Sequence, residues 1–276
     1  MAAFYRLSGK YILRGWDKLP YAIVNDSTKD VFFLTSDQMR VLSRCNGEWD
    51  FDSIITPDED RECAEKFVSE GFIEQCREGH GISPRQEYLF YPNRYVSSVH
   101  FGITGKCNYR CKHCFMSAPE ARLGELSLDS IMNIINQLDE CGVMQVLLTG
   151  GEPLIRPDFP DIVKEISRRG MSIKQLYTNG ALLNDKILDC LQENGHDPVV
   201  IMSFDGVGWH DWMRGVPGAE KAVNNAFELC RQRGVRTYAQ VVFHRKSLYT
   251  MRGTVNHLAA VGCDDVRIGI VNERMD

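Results

Sequence analysis

The chain has 276 residues, 43% hydrophobic and 25% charged, the composition of an ordinary soluble globular protein with room for one large domain and a small one. No run approaches the ~18 apolar residues needed to span a bilayer, and the first residues, MAAFYRLSGKYILRGW, are broken by charge and glycine, so neither a membrane span nor a signal peptide is expected and the cytoplasm is the default. The net charge is −5, with 10 Lys/Arg against 15 Asp/Glu in residues 1–80 and 22 against 22 in the rest, which speaks against nucleic acid as a partner because phosphate binding needs clustered positive charge.

Residues 1–76 open with three short β-prone runs, YILRGW, YAIVND and VFFLT, with NDSTKD as the turn between the second and third. SDQMRVLSRCNG then reads as a helix capped by Ser36 and stopped by Gly47, and PDEDRECAEKFVSEGF as another, with Pro57 at its start. The acidic run Asp58, Glu59 and Asp60 suits the positive end of that helix dipole. Strands followed by two helices in so short a segment predict a small winged-helix domain. Residues 77–95, with Gly79, Gly81, Pro84 and Pro92, read as a linker.

From residue 96 the pattern is strand, then helix, repeated. Strands are predicted at 98–103, 144–149, 173–177, 198–204, 236–243 and 265–271. Leu128, Ile131, Ile134, Ile135, Leu138 and Cys141 fall at helical spacing between Ser127, a cap, and Gly142, a stop; Ala222, Val223, Ala226, Phe227 and Cys230 form a second stripe. Such alternation implies parallel βαβ units with right-handed crossovers. The expected fold is α/β, a partial (β/α)6 TIM-type barrel over residues 96–276 whose functional residues lie at the C-terminal strand ends. The last strand runs into the end of the chain with no helix to cover it, which suggests a piece of a longer protein.

Ten cysteines without an export signal point to metal or redox chemistry or to buried thiols. Only Cys107, Cys111 and Cys114 cluster, in TGKCNYRCKHCFM just after the first barrel strand; Cys141 and Cys230 read as small buried hydrophobes. Thiolates suit zinc or iron–sulfur clusters. Three on one loop can wrap a cube of iron and sulfide and leave one iron without a protein ligand, whereas a structural zinc site wants four ligands. His113 could supply the fourth only in poor geometry, being adjacent to Cys114.

Cys107-x3-Cys111-x2-Cys114-Phe115 resembles the CxxxCxxC-aromatic signature of the radical S-adenosylmethionine (SAM) superfamily. The resemblance implies a [4Fe-4S] cluster whose open iron chelates SAM. It also implies a one-electron reduction, from a donor such as flavodoxin or ferredoxin, that yields methionine and a 5′-deoxyadenosyl radical. Further motifs follow in the family's order. Gly150-Gly151-Glu152-Pro153 is similar to its GGEP motif, where the glycines let backbone approach a ligand and Glu152 pairs with the SAM ammonium. Thr178-Asn179-Gly180 looks like its TNG turn, and Ser203-Phe204-Asp205-Gly206 with His210, Asp211 and Arg214 resembles the S-[LI]-D-G…HD…RG stretch of peptide-modifying members. In that stretch Ser203 would bind the SAM carboxylate or ribose, Asp205 would do the same or fix the turn, and His210 and Arg214 would orient SAM or substrate or else brace the loop. Ile270 and Val271 would line the adenine pocket or pack in the core.

Residues 1–76 resemble the RiPP recognition element, the winged-helix domain that binds the leader of a ribosomally made precursor peptide as an added strand. The receiving edge would be Val31, Phe32, Phe33, Leu34 and Thr35, with Phe67 and Phe72 as the facing wall; the alternative for Phe33, Leu34 and Phe67 is simply a core. The combined resemblance implies a maturase of the SPASM/Twitch group lacking its C-terminal extension. The alternatives are a radical SAM enzyme acting on a folded protein or a small-molecule cofactor precursor, and a non-enzymatic metal-cluster regulator with a winged helix.

Overall fold

The computed structural model describes residues 2–118 and 124–270. The chain divides into two compact units, Met1–Val96 with Glu140–Gly142, and Ser97–Asp139 with Val143–Asp276.

The first unit contains β1 (Phe4–Leu7), β2 (Tyr11–Asp17), β3 (Leu19–Asn25), β4 (Val31–Phe33), α1 (Ser36–Arg44), β5 (Asn46–Asp50), α2 (Asp58–Ser69), β6 (Ile73–Cys76) and β7 (Leu89–Arg94). They form two sheets, β5-β1-β6 and β4-β3-β2-β7. The three β-prone runs are β2, β3 and β4, paired antiparallel in sequence order. Asn25 closes the turn between the last two by accepting from the backbone N–H groups of Ser27 and Thr28. The helix cap falls on Thr35 rather than Ser36: its hydroxyl accepts from Gln38 N–H at 3.2 Å and the Gln38 side chain accepts from Thr35 N–H at 2.9 Å, a reciprocal capping box.

Residues 77–95 are not a bare linker, because β7 joins the four-stranded sheet parallel to β2. Pro92 is tolerated because β7 lies on the sheet edge. Asp60 lies in the first turn of α2, as the dipole reading expects, but is turned inward. It is 1% exposed and takes Arg40 at 2.8 Å and Arg44 at 2.6 Å, so a buried carboxylate joins α2 to α1. Phe67 is a core residue, packed with Leu13, Ile23, Leu42 and Phe51, and does not wall an open groove.

The second unit alternates β8 (Val99–Gly102), α3 (Leu128–Glu140), β9 (Gln145–Thr149), α4 (Phe159–Arg168), β10 (Ser172–Thr178), α5 (Asp185–Glu193), β11 (Val199–Ser203), α6 (His210–Arg214), α7 (Ala219–Gln232), β12 (Thr237–Phe243), α8 (Met251–Ala260) and β13 (Asp265–Ile270). The six strands form one parallel sheet in strict chain order, the arrangement of an open (β/α) barrel. Ser127 caps α3 by accepting from Ser130 N–H.

Strand period and helix period meet in one core. On β12, Ala239, Val241 and Phe243 point into the layer of helices, where Ile162, Ile166, Val223, Phe227 and Leu258 are buried. Each of these side chains larger than alanine contributes roughly 1.5–3 kcal/mol by leaving water. The alternate residues of each strand face the barrel interior. Cys230 is fully buried as expected, but Cys141 is exposed, because it follows the end of α3 rather than lying on its inner stripe. Ile270 is 72% exposed, and Val271 lies outside the described residues.

Candidate functional site

The loop after β8 carries the cysteines, and two neighbouring elements fix its path. Gly151 N–H donates to Thr104 O at 2.9 Å and Glu152 N–H to Lys106 O at 2.8 Å, which ties its first half to the turn after β9. Arg110 N–H and Lys112 N–H donate to the carbonyls of Arg214 and Met213 at the end of α6, which ties its second half. The glycines of the turn make this close contact possible. A Cβ on Gly151 would stand 2.1 Å from Lys106 O, and Gly150 has φ +147°. Gly151→Ala is therefore expected to cost about 1–3 kcal/mol and to lower the iron retained after reconstitution, read by thermal melting and iron analysis.

Cys107, Cys111 and Cys114 line one cavity of ≈ 310 Å³ at the C-terminal ends of the strands, together with Phe115, Gly150, Gly151, Asn179 and Ser203. Phe115 is 87% exposed at the surface of the loop. Each sulfur accepts hydrogen bonds: Cys107 from Tyr109 N–H at 3.4 Å and Asn179 Nδ2–H at 4.0 Å, Cys114 from Ala118 N–H at 3.5 Å and Cys111 from the Arg214 guanidinium at 3.6 Å. Burial pushes the Cys107 thiol up to about 11 and raises that of Cys111, although Arg214 opposes the second shift. These thiols thus need a cation to become thiolates, which a metal centre provides.

The donor set fits a cube. Each of the three sulfurs would take a separate iron, so they need not converge on one point. Among the described residues no group of three or more His, Cys, Asp or Glu side chains is placed to share a single metal ion, as a zinc knuckle requires. His113 faces Asp205, with Nε2 at 3.7 Å from Oδ1, and burial followed by Arg214 lowers its pKa, so it is held toward the neutral form.

Three expected ligand contacts lie behind the cavity wall. Glu152 is 0% exposed. Its carboxylate accepts from Leu154 N–H (3.1 Å), Thr178 Oγ1–H (2.8 Å) and Asn179 N–H (2.7 Å), so it joins the turns after β9 and β10. Pro153 is buried and starts a short 3-10 turn. Asp205 is 0% exposed and holds Arg214 through two bonds of 2.6 and 2.9 Å. Asn179 spans both settings: it lines the cavity, and its Nδ2 donates to Asn108 Oδ1 at 2.8 Å on the cysteine loop.

Burial raises the Glu152 carboxyl from 4.5 to about 7 against the pull of its three donors. A folded-state pKa above the unfolded value means stability present below about 4.5 and lost as pH rises through about 7. Urea unfolding of the apo-protein is expected to show wild type losing up to about 3 kcal/mol relative to Glu152→Gln across that window. Parallel pH profiles would refute the assignment.

The interior faces of β11 and β12 also contribute Ile201, Gln240 and Val242. Motif reasoning missed these three. Their signal was the period-2 alternation of the strands, which puts Gln240 and Val242 opposite the buried Ala239, Val241 and Phe243.

Among curated proteins, the chain is 38% identical over 112 residues to the "Probable GTP 3′,8-cyclase" of Methanothermobacter thermautotrophicus, covering 41% of this chain and 36% of that one. It is 27% identical over 172 residues to the "PqqA peptide cyclase" of Granulibacter bethesdensis, covering 61% and 46%. The chain thus spans less than half the length of these two relatives. In fold it resembles Streptococcus suis SuiB, solved bound to the precursor peptide SuiA (TM-score 0.66, 13% identity, 98% of this chain and 64% of that one). SuiB has also been solved bound to S-adenosylmethionine (TM-score 0.63, 14% identity, 97% and 64%). The family model for the radical SAM superfamily matches residues 101–258. That family uses a [4Fe-4S] cluster and SAM. With its cysteine loop and strand-end turns inside that match, this chain belongs to the radical SAM superfamily.

Proposed function

We propose that the chain modifies a ribosomally made precursor peptide, recognising its leader with residues 1–76 and acting on its core at the cavity beside Cys107, Cys111 and Cys114. The cluster and SAM, when bound, supply an organic radical that abstracts hydrogen. The protein's own residues do the rest. Cys107, Cys111 and Cys114 hold the irons, and Phe115, Gly150, Gly151, Asn179 and Ser203 shape the place where SAM sits. Glu152 and Asp205 fix that wall from behind. A one-electron donor of the flavodoxin or ferredoxin type would serve it.

The observation that carries the peptide reading is strand β4. Among the described residues it pairs only with β3, so Val31 and Phe33 present backbone groups along an open edge. Phe32 and Phe33 are 45% and 46% exposed; Phe32 packs on Phe72 and Phe33 on Tyr95, at centroid distances of 5.5 and 5.3 Å. An extended peptide added there gains main-chain hydrogen bonds and aromatic side-chain sites. The first unit is read accordingly as a winged-helix-type recognition domain. The 98% coverage of this chain by the SuiB fold supports that reading.

The small-molecule alternative draws on the 38% identity to the cyclase, which involves only 41% of the chain. Titration of the full chain with the small peptide encoded beside its gene separates the two. Binding should weaken at least about tenfold in Phe33→Pro, which removes an edge N–H and straightforward strand addition. SAM cleavage without peptide should be unchanged in that variant. Equal binding by wild type and Phe33→Pro, or no binding to either, would count against peptide recognition at this edge. No helix among the described residues is long and apolar enough to cross a membrane.

A further inference from the structure

The three cluster cysteines are not equivalent. Cys107 and Cys114 take only neutral donors, backbone N–H groups and, at Cys107, the Asn179 amide at 4.0 Å, whereas Cys111 faces a full positive charge, Nη1 of Arg214, at 3.6 Å. The guanidinium is 8% exposed and has one orientation open to it. Its Nε and Nη2 grip the two oxygens of Asp205 at 2.6 and 2.9 Å, which turns Nη1 toward the sulfur. His210 also faces Asp205: its Nδ1 accepts from Asp205 N–H at 3.1 Å and lies 3.3 Å from Oδ2. His113 Nε2 lies 3.7 Å from Asp205, and its ring shares the cavity wall with Arg214.

The reduction potential of an iron–sulfur cluster follows its net charge, the hydrogen bonds to its sulfurs and its exposure to water. Reduction by one electron from an external donor adds one negative charge; no bond is made or broken and no proton moves. A fixed cation against one cysteine sulfur, in a site closed on that side to water, favours the more negative state. We infer that Arg214, oriented by Asp205, is a positioning residue that sets the reduction potential of the cluster through the Cys111 sulfur. The inference rests on the family's cluster and is independent of the peptide reading.

The two partners should act in opposite directions. Arg214→Gln removes the cation, while Asp205→Asn leaves the cation and removes its neutralising anion. The experiment is a dithionite titration of the anaerobically reconstituted full chain without SAM, followed by the electron paramagnetic resonance of the reduced cluster. Arg214→Gln should lower the reduced-to-oxidised ratio at fixed potential about tenfold, equal to about 59 mV for one electron, and Asp205→Asn should raise it. Arg214→Lys, which keeps the charge, should stay within about threefold of wild type. A general loosening of the loop would expose the cluster in both variants and move both the same way, so opposite signs separate tuning from structure. Shifts of the same sign, or none, overturn the inference. Where only one variant holds a cluster, its sign decides. Where neither does, the pair serves cluster assembly and the inference is wrong.

Discussion

Replacing Cys114 by alanine is expected to abolish both cluster retention and SAM cleavage. The remaining sulfurs, Cys107 and Cys111, lie on the same loop, but two ligands cannot hold a cube that already lacks a protein ligand on one iron. Loss of a mere supporting contact to a metal site costs 10–100-fold, so loss of a direct ligand should exceed about 100-fold in iron content after reconstitution. The fold should survive, because the loop's path is held by backbone bonds from Gly151, Glu152, Arg110 and Lys112 rather than by the Cys114 side chain. Apo-protein melting should therefore stay within a few degrees of wild type while iron and 5′-deoxyadenosine fall to background. A variant that keeps a four-iron cluster would remove Cys114 from the ligand set.

The second large effect is expected at Arg214. Its partner Asp205 is 0% exposed, and burial alone would raise the carboxyl; Arg214 and then His210 hold it below the ordinary value. Arg214→Ala leaves a buried carboxylate without its counter-charge, which costs about 3–5 kcal/mol. At roughly 2–4 °C per kcal/mol, the apo-protein should melt about 6–20 °C lower. Replacing both residues by leucine removes the unpaired charge together with the pair and should recover much of that loss. Chemical unfolding of Arg214→Leu, Asp205→Leu and the double leucine variant tests this directly: strong coupling is the expected result, and simple additivity would show that the pair contributes little.

The barrel was legible because its strands and helices carry their own periodicity. All six strands fall within a residue or two of their predicted bounds, since buried runs such as VVIMS and alternating ones such as TYAQVVF have signals that tertiary context reinforces. The strands β1, β5 and β6 were not legible. FYRL, NGEWD and IEQC are too short and too polar to alternate clearly, and they exist because residues far apart in sequence pair with one another. The site divides along the same line. Ligand type and spacing made Cys107, Cys111 and Cys114 candidates, but which face of a motif residue is buried depends on its neighbours. Glu152 and Asp205 thus turn inward, Asp205 onto Arg214 in line with its turn-fixing alternative, and Asp60 turns from the first turn of α2 onto Arg44.

The most direct test of the account is anaerobic reconstitution of the full chain with iron and sulfide, followed by SAM and dithionite. The account predicts a four-iron cluster and equal amounts of methionine and 5′-deoxyadenosine, both dependent on reductant. A fully loaded protein that binds SAM and releases no 5′-deoxyadenosine would contradict it.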